Sequence, residues 1–268
     1  FVKGIRGFNK TEAIKAMIAT TSFDEYGKLE FKQNGFIDAG NEPESVSKSL
    51  EYAYDNFCIS QMIGAFTNQS GATATPSKSG GFGTGMCNFI NNFDPKTKFM
   101  RARRSGQWFS PFDPAEVNFN YTEANSWQYS LYAPHAVGIL SNLLGGKDSL
   151  ETWLDRLFTT ESSLSGRHQV DITGLIGQYA HGNEPSHHMA YLYNYTNAPE
   201  KTQVYLDRIM NEMYANKPDG LSGNEDCGQM SSWYVLSAMG IYQIAPGNPY
   251  YDFGRPLMDE AIIYFEDD

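Results

Sequence analysis

The chain has 268 residues, of which 14% are aromatic and 19% charged, enough apolar material for a substantial core and too much for a disordered segment. Against 20 basic residues stand 31 acidic ones, a net charge of −11. With no basic stripe, this argues against nucleic acid and anionic membranes, and it suits neutral sugars and a divalent cation.

The chain opens on Phe1, and "FVKGIRGFNK" reads as the middle of an element, as in a piece lacking its N-terminal part. In "EPESVSKSLEYAYDNFCISQMIGAF", Val46, Leu50, Ala53, Phe57 and Met62 fall near one helical face, with Pro43 in a plausible first turn. A small-residue loop, "NQSGATATPSKSGGFGTG", covers 68–85. From Asn125 to Leu144 the helical pattern is interrupted at Pro134 and closed by Gly145 and Gly146. "SLETWLDRLF" turns Leu150, Trp153, Leu154 and Leu157 inward; a helix from Pro199 does the same with Tyr205, Ile209 and Met213. "GQMSSWYVLSAMG" is a further helix, stopped by Gly240. Strand patterns are confined to the end, in "IYQIAP" and "AIIYF". Seven or eight helices of similar length, joined by long loops, favour a helical toroid, mainly α, over a simple bundle.

Cys58, Cys87 and Cys227 are widely spaced, without a CxxC pair, and read as free, buried thiols. No run is apolar enough for a membrane span, and no signal peptide opens the chain. Asn-x-Ser/Thr triplets occur at Asn9, Asn68, Asn120 and Asn194.

Three segments combine carboxylates with amides and aromatics. "NYTEANSWQY" holds Glu123, Asn125, Trp127 and Gln128. "GQYAHGNEPSHH" holds Gln178, His181, Asn183, Glu184, His187 and His188, three of the chain's five histidines. "GLSGNEDCGQMSSWY" holds Asn224, Glu225, Asp226 and Gln229. Each precedes a helix, so Glu123, Asp226 and Glu184 could simply cap helix starts. Together they suit a sugar: amides and acids bond hydroxyls, and an aromatic face covers the apolar side of the ring. Glycosidic cleavage needs one protonated and one ionised carboxyl group. Burial beside Trp127 would raise Glu123 and suit it as the acid; Asp226 suits the base. The histidines lack HxxxH spacing, which weakens a zinc reading, and an oxygen-rich set prefers calcium.

The runs "EPESVSKSLEYAYDNFCISQM", "FDPKTKFMRAR", "PFDP", "YTEANSWQYSLYAPH", "DITGLIGQYAHGNEPSHHMAYLYNY" and "PDGLSGNEDCGQMSSWYVLSAMGIY" closely resemble glycoside hydrolase family 92, the calcium-dependent inverting exo-α-mannosidases. The resemblance implies an (α/α)6 catalytic domain over 1–240, a strand segment over 241–268, and an N-terminal β-sandwich that this chain lacks. It maps the acid to Glu123 and the base to Asp226, with Glu225 as second candidate. It offers Gln178, Asn183 and Glu184 as Ca2+ ligands, and Trp108, Trp127, Asn125, His181, His187 and His188 as candidates for substrate binding. It further implies a mannose-containing glycan as substrate, a role in N-glycan degradation, and a periplasmic, cell-surface or secreted location. The alternatives are a catalytically silent glycan-binding fragment, a toroid glycosidase acting on another sugar, and a metallohydrolase using the three histidines.

Overall fold

The computed structural model describes residues 7–66 and 85–264; the small-residue loop and the Asn68 triplet lie almost wholly outside them. Eight α-helices occur among the described residues: α1 (Lys10–Ser22), α2 (Lys28–Asn34), α3 (Ser45–Phe66), α4 (Ser126–Tyr129), α5 (Val137–Leu144), α6 (Lys147–Thr159), α7 (Glu200–Glu212) and α8 (Gln229–Ala238). Their lengths run from 4 to 22 residues, so the expectation of similar lengths fails.

The helical faces match the periodicity that predicts them. Val46, Leu50, Ala53 and Phe57 of α3 are buried, and Met62 is half-buried. Helix α6 buries Leu150, Trp153, Leu154 and Leu157, while α7 buries Ile209 and half-buries Tyr205 and Met213. Pro134 begins a 3-10 turn that breaks α4 from α5, and Gly145 ends α5 by donating to the carbonyls of Ser141 and Asn142. Gly145 has φ +122°, outside the reach of most side chains. The core between the helices is aromatic: Phe99 meets Trp127 edge-on at 4.7 Å, and Trp127 lies 5.1 Å from Trp153.

The strand expectation needs correcting. Among the described residues ten two-residue strands pair into five ladders, and eight of the ten precede residue 241. They are β1 (Phe93–Asp94) with β2 (Phe99–Met100), β3 (Arg103–Arg104) with β4 (Gln107–Trp108), β5 (Glu116–Val117) with β6 (Ser165–Gly166), β7 (Leu175–Ile176) with β8 (Tyr179–Ala180), and β9 (Ile241–Tyr242) with β10 (Asp252–Phe253). Two residues are too few for an alternating pattern, so nothing in composition marks them. "IYQIAP" does start as β9, whereas the described part of "AIIYF" forms no strand. The ladders sit in the connections between and after the helices. The cysteines are free, with Cys87 buried, Cys58 half-buried and, against expectation, Cys227 exposed.

Candidate active site

The segment leading to Glu123 is strapped to the start of α3. Glu44 and Val46 donate their N–H groups to the carbonyls of Phe119 (2.6 Å) and Asn120 (3.1 Å), and Thr122 N–H donates to Ser47 Oγ at 2.8 Å. Glu123 then takes φ +51°, a left-handed position uncommon for a side chain of this size, and stands exposed. The turn ends at Asn125, whose Oδ1 accepts from the N–H groups of Trp127 and Gln128, while Gln128 Oε1 accepts from Asn125 N–H. This reciprocal cap uses up much of Asn125, which is fully buried. Trp127, on the inner face of α4, is buried in the core. Neither residue presents a surface to a sugar, which corrects their expected role.

The second segment meets the first through Asn183. Its Nδ2 donates to the Glu123 carbonyl at 2.9 Å and its Oδ1 accepts from Glu184 N–H at 3.1 Å. Asn183 is buried, and Glu184 is exposed at the start of a 3-10 turn, Glu184–Ser186.

The third segment is set by a close approach of backbones. A Cβ on Gly182 would stand 2.0 Å from Thr173 Oγ1, and one on Gly223 2.9 Å from the Gly182 carbonyl. Only glycine lets these loops touch. Asn224 Nδ2 adds a 3.3 Å hydrogen bond to Asp171 Oδ1. Asp226 follows at φ +51° and is exposed. Glu225 instead turns back, its Oε1 accepting from Ser231 N–H in the first turn of α8. The helix-start role considered for Asp226 thus falls to the side chain of Glu225.

Four carboxylates act on Glu123. Partial desolvation raises its proton affinity most, followed by the charges of Asp171, Glu184, Asp226 and Glu44. Trp127 is not among the causes. Among the described residues, Glu123, Asp171, Glu184 and Asp226 make no salt bridge, and Glu44 meets Lys48 only at 3.9 Å. Sequence reasoning missed Asp171 and Glu44. Asp171 heads the very run that carries Gln178 to His188, and Glu44 precedes α3, but nothing local marks either as facing Glu123.

The histidines lie behind this mouth. His181 Nδ1 accepts from Tyr179 O–H (2.8 Å) and its Nε2–H donates to the Tyr214 hydroxyl (2.7 Å), since that hydroxyl spends its own proton on the Met230 carbonyl. His187 donates from Nε2 to the His181 carbonyl (2.9 Å) and accepts at Nδ1 from Gln229 Nε2 (3.1 Å). His188 donates to the Leu131 carbonyl at 2.9 Å. All three are buried, and desolvation lowers their proton affinity, to about 4 for His187 and His188 and well below the usual range for His181. Buried and hydrogen-bonded to protein groups, they tie helices together and do not reach out to sugar hydroxyls. Among the described residues no three His, Cys, Asp or Glu side chains converge on a metal position.

Along its whole length, residues 1–268, the chain matches the model of the glycosyl hydrolase family 92 catalytic domain. It belongs to that family. Its helical architecture is accordingly an (α/α)6 toroid, as the resemblance implies. A family 92 alpha-mannosidase from Bacteroides thetaiotaomicron, solved alone, is 39% identical with a TM-score of 0.82 over 95% of this chain and 32% of its own. The same enzyme in complex with mannoimidazole gives 38% and 0.84, over 95% and 34%. A family 92 inverting mannosidase from that organism is 31% identical, with a TM-score of 0.78, over 95% and 36%. An uncharacterized secreted glycosidase of Arthroderma benhamiae is 24% identical over 90% of this chain and 31% of its own. The chain therefore spans about a third of these relatives.

The calcium set implied by family 92 can be tested on its oxygens. Gln178 is fully buried: its Oε1 accepts from Asn125, and its Nε2 donates to the carbonyls of Glu161 and Ser163. Asn183 Oδ1 is engaged by Glu184 N–H, leaving only the Glu184 carboxylate open. The three side chains do not form a cage, and Gln178 does not fit as a ligand. Trp108 is half-buried under the Arg103 guanidinium, 3.8 Å above its ring, so that face is covered as well. No described helix is long and apolar enough to cross a membrane.

Proposed function

We propose that the protein carrying this chain is an exo-acting glycoside hydrolase releasing terminal α-linked mannose with inversion. The observation that carries this reading is Glu123, an open carboxyl on a left-handed turn whose proton is retained to higher pH by partial burial and four carboxylate neighbours. Such a group can give its proton to the glycosidic oxygen as the bond to C1 breaks. Asp226, exposed and without an ion pair among the described residues, takes a proton from the water that attacks C1 from the opposite face. Inversion of this kind needs the two carboxyl groups roughly 6.5–9.5 Å apart, leaving room for water. Glu225 is tied to α8 and remains the second candidate. The names of the two solved relatives, both mannosidases, support mannose as the sugar.

Calcium belongs to the same reading. The acidic mouth around Glu123 attracts a hard cation, with Glu184 as the open carboxylate; remaining oxygens would come from backbone carbonyls, water and sugar hydroxyls. When bound, calcium polarises and orients oxygen ligands. The partners proposed are a mannose-containing glycan and the family's β-sandwich. An exported location agrees with the secreted relative.

Hydrolysis of an α-linked mannobiose followed by proton NMR tests the reading. β-Mannose appears first, and Glu123→Gln abolishes turnover. Early α-mannose points instead to retention, and binding without turnover to a glycan-binding protein.

A further inference from the structure

An aromatic face for the sugar is missing from the site as described, because Trp127 is in the core and Trp108 is half-buried with two guanidinium groups against its ring, Arg103 at 3.8 Å and Arg101 at 5.7 Å. Phe119 is open: it is 68% exposed, four residues before Glu123. Four residues span at most about 14 Å of extended chain, and here the chain is shortened by a turn in which Asn120 N–H donates to Asn118 Oδ1 at 3.0 Å. The position of Phe119 is held from two sides. Its carbonyl accepts from the N–H of Glu44, one of the carboxylates acting on Glu123. The parallel pairing of β5 with β6 continues as Arg167 N–H donates to the Val117 carbonyl at 3.0 Å, which lays the Arg167 guanidinium 4.5 Å from the Phe119 ring centroid.

We propose that Phe119, backed by Arg167, is a sugar-stacking platform at the rim of the active site, binding the part of an oligosaccharide on the leaving-group side of the scissile bond. An exposed phenyl ring is costly to leave in water, and one face is already stiffened by a cation. The other face matches the apolar side of a pyranose ring. Arg167 makes no salt bridge among the described residues, so its charge is free to meet hydroxyls beside the stacked ring. The substrate class is then an oligosaccharide with at least one sugar beyond the scissile linkage. The proposal rests on the glycosidase reading above.

The test compares α-mannotriose with α-mannosyl fluoride, whose leaving group is a single atom. In the intact protein, Phe119→Ala should lower kcat/KM for the trisaccharide about tenfold more than for the fluoride, and Phe119→Tyr should restore most of it. Equal losses on both substrates overturn the platform. Titration calorimetry of mannotriose into Glu123→Gln separates the two ideas if turnover is absent. A Kd about tenfold weaker on adding Phe119→Ala supports the platform without catalysis, and an unchanged Kd overturns it.

Discussion

The side-chain amide of Asn183 donates to the main-chain carbonyl of Glu123 at 2.9 Å, joining two segments sixty residues apart. The same side chain accepts from Glu184 N–H, so one buried amide sets both the proposed acid and its carboxylate neighbour. Replacing it leaves a left-handed turn without its tie. Asn183→Ala should lower kcat roughly ten- to a hundredfold, about 1–3 kcal/mol of lost positioning, with a smaller change in KM. Asn183→Asp, which cannot donate to a carbonyl, should behave alike. Steady-state kinetics on an α-mannobiose checks this; a change confined to KM would show that Asn183 contacts substrate instead.

Asp171 is the largest charged contributor to the raised proton affinity of Glu123, after desolvation. Neutralising it removes a like charge, so Glu123 loses its proton at lower pH. Asp171→Asn should therefore move the basic limb of the kcat/KM profile toward acid. A shift toward alkali contradicts the assignment of Glu123 as acid.

The buried histidines make stability depend on pH. Desolvation lowers His135, His187 and His188 to about 4, from an ordinary value near 6.5. As pH falls from 6.5 to 4, the unfolded chain takes up protons that the folded chain refuses. Stability is full above about pH 6.5 and is lost progressively down to about pH 4, by at most about 3 kcal/mol for each of these side chains. Urea midpoints at neutral pH and near pH 5 should differ accordingly, and His188→Gln should flatten the dependence. Equal midpoints would mean the histidines are hydrated.

Gly182 has no room for a side chain, since a Cβ would lie 2.0 Å from Thr173 Oγ1. Gly182→Ala should destabilise by about 1–3 kcal/mol and also lower activity, because it parts the loops holding Asn183 and Asp226. Adding Thr173→Ala removes the nearest atom and should recover much of both. Thermal unfolding and kinetics on the single and double variants give the answer.

By itself the sequence determined the family and the inward faces of the long helices. Conserving a helical face requires only a 3.6-residue period, which is written locally, as Val46, Leu50, Ala53 and Phe57 illustrate. Capping is local too, and the Asn125–Gln128 pair is visible as a spacing of three. What tertiary structure alone decided is which polar residues face out. Asn125, Gln178, His181, His187 and His188 have the composition of a binding site, yet all are buried with protein partners, among them the Glu161 and Ser163 carbonyls for Gln178, the Tyr214 hydroxyl for His181 and the Leu131 carbonyl for His188. Asp171 and Glu44 come to act on Glu123 from 48 residues after and 79 before it (171 − 123 and 123 − 44). No window of sequence contains such a meeting. It exists because glycines 182 and 223 let two loops touch, one asparagine bonds across the gap, and the Glu44 N–H is tied to the Phe119 carbonyl.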